Sequence, residues 1–188
     1  LAGDALTDAD DNVVLGVAAL SSDTKGSHTT AIGKNALYYQ NFTTATDTFN
    51  TAVGYHSGIN VTTGQFNTFV GGETGSDLTV GEKNVVVGTY ALDKDVGGSR
   101  NVAIGYQALT NQIFATATEV YNTAVGFNAG LNLSSGYNNT FIGGRSGDAV
   151  TDGFENTFIG QGAGTAVTTG DRNLFVGNNA GELASTGN

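Results

Sequence analysis

Polar and apolar positions in this chain follow one short phrase, N-[TV]-[AFV]-[VI]-G, as in Asn50-Thr51-Ala52-Val53-Gly54 and Asn156-Thr157-Phe158-Ile159-Gly160. Ten copies close on Gly16, Gly33, Gly54, Gly71, Gly88, Gly105, Gly126, Gly143, Gly160 and Gly177; the intervals are 17 residues, except for two of 21 that end at Gly54 and Gly126. The β-branched residues and the period of two predict a short strand in each copy. A unit this short cannot bury a core alone, so copies must stack on their neighbours. The pattern therefore predicts an all-β parallel solenoid, a β-roll of about ten coils and roughly 45–50 Å long at the usual ~4.8 Å strand spacing.

Two columns of the strand share a face. One holds Leu15, Ile32, Val53, Val70, Val87, Ile104, Val125, Ile142, Ile159 and Val176; the other holds Val13, Thr30, Thr51, Thr68, Val85, Val102, Thr123, Thr140, Thr157 and Leu174. These are expected to fill the coil. The middle column then points outward: Val14, Ala31, Ala52, Phe69, Val86, Ala103, Ala124, Phe141, Phe158 and Phe175, with no polar residue. Strands apolar on both faces belong to sheets covered on both sides, and such a stripe is larger than a soluble monomer usually exposes. The middle column is therefore expected at an axis shared with identical chains. A lone solenoid with an apolar side, or a covering segment outside this chain, are the alternatives.

A longer period overlies the short one. Four coils, 72 residues, recur as a block: Gly71-Gly72-Glu73-Thr74-Gly75 returns as Gly143-Gly144-Arg145-Ser146-Gly147, and the run Phe42 to Gly54 as Phe114 to Gly126. No linker interrupts it, so residues 12–188 read as one repeat domain after a lead-in of residues 1–11. Glycine recurs ten residues after the phrase glycine (Gly26, Gly64, Gly81, Gly98, Gly136, Gly153, Gly170, Gly187), which predicts either positive φ or a backbone too crowded for a Cβ. Nine of ten phrases begin with Asn, Thr29 being the exception, and stacked asparagines are expected to bond along the ladder. The small third residue after each phrase glycine predicts a second strand running back, two per coil.

Composition narrows the function. Charged residues are 13%, the formal net charge is −10, and the seven Lys and Arg are scattered, so the basic stripe that phosphate backbones require is missing. Nucleic acid and direct membrane contact are poor partners for this segment. There is no Cys, hence no disulfide framework or thiolate metal site. No apolar run approaches the ~20 residues of a membrane helix, and Leu1-Ala2-Gly3-Asp4 is no signal peptide. The chain reads as part of a longer fibre.

Asn50-Thr51-Ala52-Val53-Gly54-Tyr55, Asn101-Val102-Ala103-Ile104-Gly105-Tyr106 and Asn122-Thr123-Ala124-Val125-Gly126-Phe127 resemble the head repeat of YadA-like trimeric autotransporter adhesins, and similar repeats occur in bacteriophage tail fibres. The resemblance covers about residues 12–188. It implies a left-handed parallel β-roll, three chains with inner sheets around a threefold axis, and an extracellular place on a bacterial surface or virion tail fibre. It implies an adhesive role toward a host-surface glycan or protein, and carries no catalytic residues. The coils here are a little longer than the usual adhesin repeat.

Candidate chemistry is sparse, and no cofactor or metal is expected. His28 and His56 occupy different coil positions and read as surface or turn residues. No nucleophile elbow, zinc-helix motif or P-loop occurs. Carboxylates from adjacent coils could cleave a glycan, and the pair Asp47/Glu119 keeps its acid in both blocks, whereas Glu73 becomes Arg145. Asp8, Asp10 and Asp11 offer calcium-type oxygens without an iterated calcium repeat. An ice-binding face is disfavoured because the Thr column is placed with the core. The long coils are the expected contact sites: Tyr38, Tyr39 and Phe42 in the first, Ile113 and Phe114 in the second. Phe42 and Phe114 are expected to pack inward, and the tyrosines, replaced by Thr110 and Asn111 in the second block, to be exposed.

Overall fold

The computed structural model describes residues 1–184. In chain order its strands are β1 (Val13–Leu15), β2 (Gly26–Ser27), β3 (Thr30–Ile32), β4 (Thr46–Asp47), β5 (Thr51–Val53), β6 (Thr68–Val70) and β7 (Val85–Val87), then β8 (Gly98–Ser99), β9 (Val102–Ile104), β10 (Thr118–Glu119), β11 (Thr123–Val125), β12 (Thr140–Ile142), β13 (Thr157–Ile159) and β14 (Leu174–Val176). The ten phrase strands form one parallel sheet, each beside the next, with Thr51 by Thr68, Ala52 by Phe69 and Val53 by Val70. The protein is an all-β parallel solenoid of about ten coils.

The two faces of this sheet are the reverse of those expected from the sequence. The middle column is the coil interior: Ala31, Ala52, Phe69, Val86, Ala103, Ala124, Phe141 and Phe158 are fully buried within one chain, and Val14 and Phe175 pack against them at the ends. None of the ten can therefore line an axis between chains. The flanking columns face outward: eight of their twenty residues are exposed, from Ile159 at 37% to Leu174 at 69%, and the other twelve are partly exposed.

The physical reason is volume. In eight of the ten coils the middle residue and the residue four after the phrase glycine exchange bulk: Ala31 goes with Leu37 and Ala103 with Leu109, whereas Phe69 goes with Gly75 and Phe141 with Gly147. A Cβ on Gly147 would stand 2.6 Å from the Phe141 ring, so the two columns fill one cavity. Coils three and seven are small at both positions. There the neighbours lean in, with Leu37 and Phe69 against Gly58, and Leu109 and Phe141 against Gly130.

The corners explain how so short a strand turns. In the coil around β7, Lys83, Tyr90 and Leu92 all adopt left-handed φ, at 60°, 60° and 49°, and the same three positions recur along the rod. The glycine ten residues after the phrase is there for crowding: Gly64 and Gly136 lie outside the left-handed region, and a Cβ on either would meet the carbonyl oxygen of Gly81 or Gly153 one coil on. Gly187 lies outside the described residues.

The small third residue is buried at a turn and brings no second strand to the plain coils. Among the described residues, side ladders form only where a 21-residue coil meets its predecessor, β2 with β4 and β8 with β10.

The asparagine ladder forms. Asn67 Oδ1 accepts the Asn84 backbone N–H at 3.0 Å, and Asn67 Nδ2 donates to the Gly81 carbonyl at 2.8 Å. Asn50, Asn84, Asn122, Asn139 and Asn156 likewise tie their own coils shut through the glycine carbonyl at the same position. Side-chain amides also bond directly, as Asn156 Nδ2 does to Asn139 Oδ1 at 3.1 Å.

Candidate contact surfaces

The outward sheet face is a continuous band of Val, Ile, Leu and Thr. Aromatic ladders flank the strands. On one side His28 stacks on Phe49 at 5.0 Å and Phe49 on Phe66 at 5.7 Å, continued by Lys83 over the Phe66 ring. On the other side Tyr106 stacks on Phe127 at 5.6 Å. Phe49, Phe66, Tyr106 and Phe127 are each about half exposed. Most of the large apolar side chains that reach solvent therefore belong to one surface.

Each long coil is held by a buried polar pair that composition did not reveal. Asp23 Oδ1 accepts the backbone N–H groups of Gly26 and Phe42, at 3.1 and 3.0 Å, and Oδ2 accepts Gln40 Nε2 at 2.7 Å. Gln40 in turn accepts Asn50 Nδ2 at 2.8 Å. The second block repeats this with Asp95, Gln112 and Asn122, and burial pushes the Asp95 carboxyl up despite four donors. The coils between these pairs have Val or Leu at the same interior position, as at Val61 and Leu78. The signal was visible as an Asp and a Gln recurring 72 residues apart in an otherwise apolar column.

The anchored loops place the expected contact residues unevenly. Phe42 folds inward at 6% exposed, whereas Phe114 is only half-buried. Tyr39 and Ile113 are both 50% exposed, and Tyr38 is half-buried with its ring edge-on to Tyr39 at 4.6 Å. The two blocks therefore present different surfaces. Tyr39 stands at a groove of about 520 Å³ with Asn60, Thr62, Asp77, Thr79 and Val96.

Charged side chains gather beside the second long coil. Glu82, Lys83, Arg100 and Glu119 line a groove of about 220 Å³. Arg100 contacts Glu119 at 2.6 Å, and the Tyr121 hydroxyl donates to it at 2.8 Å. These two donors, Tyr121 and then Arg100, hold Glu119 below the usual carboxylate range, an ionised partner and a poor general acid. In the first block Asp47 instead faces His28 at 3.1 Å. His56 stacks on Tyr55 at 3.7 Å, so both histidines sit in surface turns. Among the described residues no group of three His, Asp or Glu is placed to hold a metal, and no helix is long and apolar enough to cross a membrane.

Comparison with family models, curated proteins and solved structures finds no match.

Proposed function

We propose that this chain is a segment of a homotrimeric fibre, extracellular on a bacterial surface or a virion tail, whose work is reach, stiffness and attachment to a target cell. The observation that carries this is the outward sheet face, where Leu15, Val70, Ile142, Ile159 and Val176 are more than a third exposed and their column mates partly exposed, along a ten-stranded parallel sheet. Parallel sheets are ordinarily covered on both faces. A self-complementary repeat supplies its own cover by rotation about a closed axis. The resemblance to YadA-like head repeats supports the same arrangement, with the axis now lined by the flanking columns.

Attachment is tested by retention on target cells. Wild-type chain should be retained, and Ile142→Asp with Ile159→Asp, which separates the chains, should lose most retention because three linked weak contacts become one. Equal retention of both would refute attachment through the assembled fibre. A phage-type spike that also cleaves polysaccharide would release new reducing ends from capsular or lipopolysaccharide glycans.

The reversed face favours a second reading. Thr30, Thr51, Thr68, Thr123, Thr140 and Thr157 stand in register on the outer surface, interrupted by Val85 and Val102. A Thr-bearing flat face of this kind would order water and bind ice if it were free. Thermal hysteresis in a monomeric preparation would support that use.

A further inference from the structure

We infer that the groove beside Tyr39 is a binding subsite for a neutral, hydroxyl-rich pyranoside, which names the chemistry of the attachment proposed above and rests on that reading for its biological use. The groove runs along the rod. Tyr39, Asn60 and Asp77 occupy the same position of three successive coils, six residues after Gly33, Gly54 and Gly71, and Thr62 and Thr79 lie beside them. An aromatic ring half in solvent offers an apolar plate, and a few polar groups beside it set orientation, the usual composition of a small-molecule site.

The polar groups suit hydroxyls. Thr62 and Thr79 each donate to the carbonyl one coil on, Thr79 and Val96 respectively, both at 3.1 Å, which leaves the hydroxyl oxygens free to accept. Asn60 Nδ2 reaches Asp77 Oδ1 at only 3.4 Å, so the second carboxylate oxygen and the Asn carbonyl remain acceptors for a vicinal diol. Charge excludes acidic sugars. Asp93 lies close enough to Asp77 and Glu73 for both to help burial raise its carboxyl, against the opposing charge of Lys94, and the three acids leave the potential around the groove negative.

The block repeat contains its own control. Seventy-two residues on, Tyr39 becomes Asn111 and Asp77 becomes Ala149, while Asn60 and Thr79 persist as Asn132 and Thr151. The second block keeps the coil and lacks the plate and the carboxylate at the Asp77 position, while Asp152 there accepts the Ser134 hydroxyl at 2.8 Å.

Saturation-transfer NMR with methyl glycosides of glucose, galactose, mannose and N-acetylglucosamine tests the inference, with sialyllactose as the acidic probe. At least one neutral glycoside should bind. Tyr39→Asn and Asp77→Ala, residues the coil already accepts, should each weaken it about tenfold, the loss of one anchor worth about 1.4 kcal/mol. Grafting Asn111→Tyr with Ala149→Asp should add a second site. Circular dichroism and melting should match wild type in all variants. No binding at millimolar glycoside, preference for sialyllactose, or unchanged binding in both loss variants would overturn the subsite. Cell retention measured alongside separates the two readings: retention without glycoside binding overturns the groove alone, and glycoside binding without retention overturns attachment while supporting the groove.

Discussion

Asn101 carries a side-chain nitrogen that is fully buried and unpartnered, at a position where the first block has Thr29. There Thr29 Oγ1 pairs with Thr48 Oγ1 at 2.7 Å, and Thr48 also accepts the Asn50 backbone N–H. Val120 replaces Thr48 in the second block. Asn101→Thr with Val120→Thr should therefore import a complete hydrogen-bond set and raise stability by about 1 kcal/mol, since an unmade buried bond costs about 1–3. Asn101→Thr alone should gain nothing, because the Asn122 N–H then loses its acceptor Asn101 Oδ1. Denaturant unfolding of both variants checks this. Asp95 gives a pH signature at the same scale. Its folded pKa is raised from 3.8, so its contribution is present below that value and is lost as pH rises through the folded value. The stability of wild type relative to Asp95→Asn should fall between acid and neutral pH, and a constant difference would contradict the burial of that charge.

At the scale of the coil, stability rests on paired volumes. Phe158→Ala should cost about 3–5 kcal/mol by opening a cavity between coils. Adding Gly164→Leu reproduces the pairing of Ala31 with Leu37, whose left-handed φ of 49° shows that leucine accepts this corner. The double variant should recover most of the loss in thermal melts. The same pairing shows what was legible in advance. The repeat, the phrase strands, the asparagine ladder and the inward Phe42 follow from position-by-position reading, whereas the second strand expected in every coil does not form in the plain ones. The orientation of the sheet did not, because alternation says only that two columns share a face, and both faces here are apolar. Phe with Gly and Ala with Leu, six residues apart, would have decided it, since only residues filling one space exchange bulk. The left-handed corners were hidden too, because Lys83, Tyr90 and Leu92 lack the glycine that usually marks positive φ. At the contact surface, exposure of Tyr39 was legible from its loss in the second block, whereas the groove depends on coils that become neighbours only when stacked.

For the whole molecule, the reversed sheet changes which substitutions separate fold from assembly. Charges at Phe141 or Phe158 would enter the coil interior and unfold the chain, since each would be desolvated without a partner. Charges at Ile142 and Ile159, already more than a third exposed, leave the coil intact and burden only a surface between chains. Sedimentation of wild type beside Ile142→Asp with Ile159→Asp isolates that surface. The expected result is a wild-type particle of three times the 19.1 kDa chain mass and a folded monomer for the variant, with unchanged circular dichroism. A folded wild type that sediments as a monomer at all concentrations would contradict the shared axis.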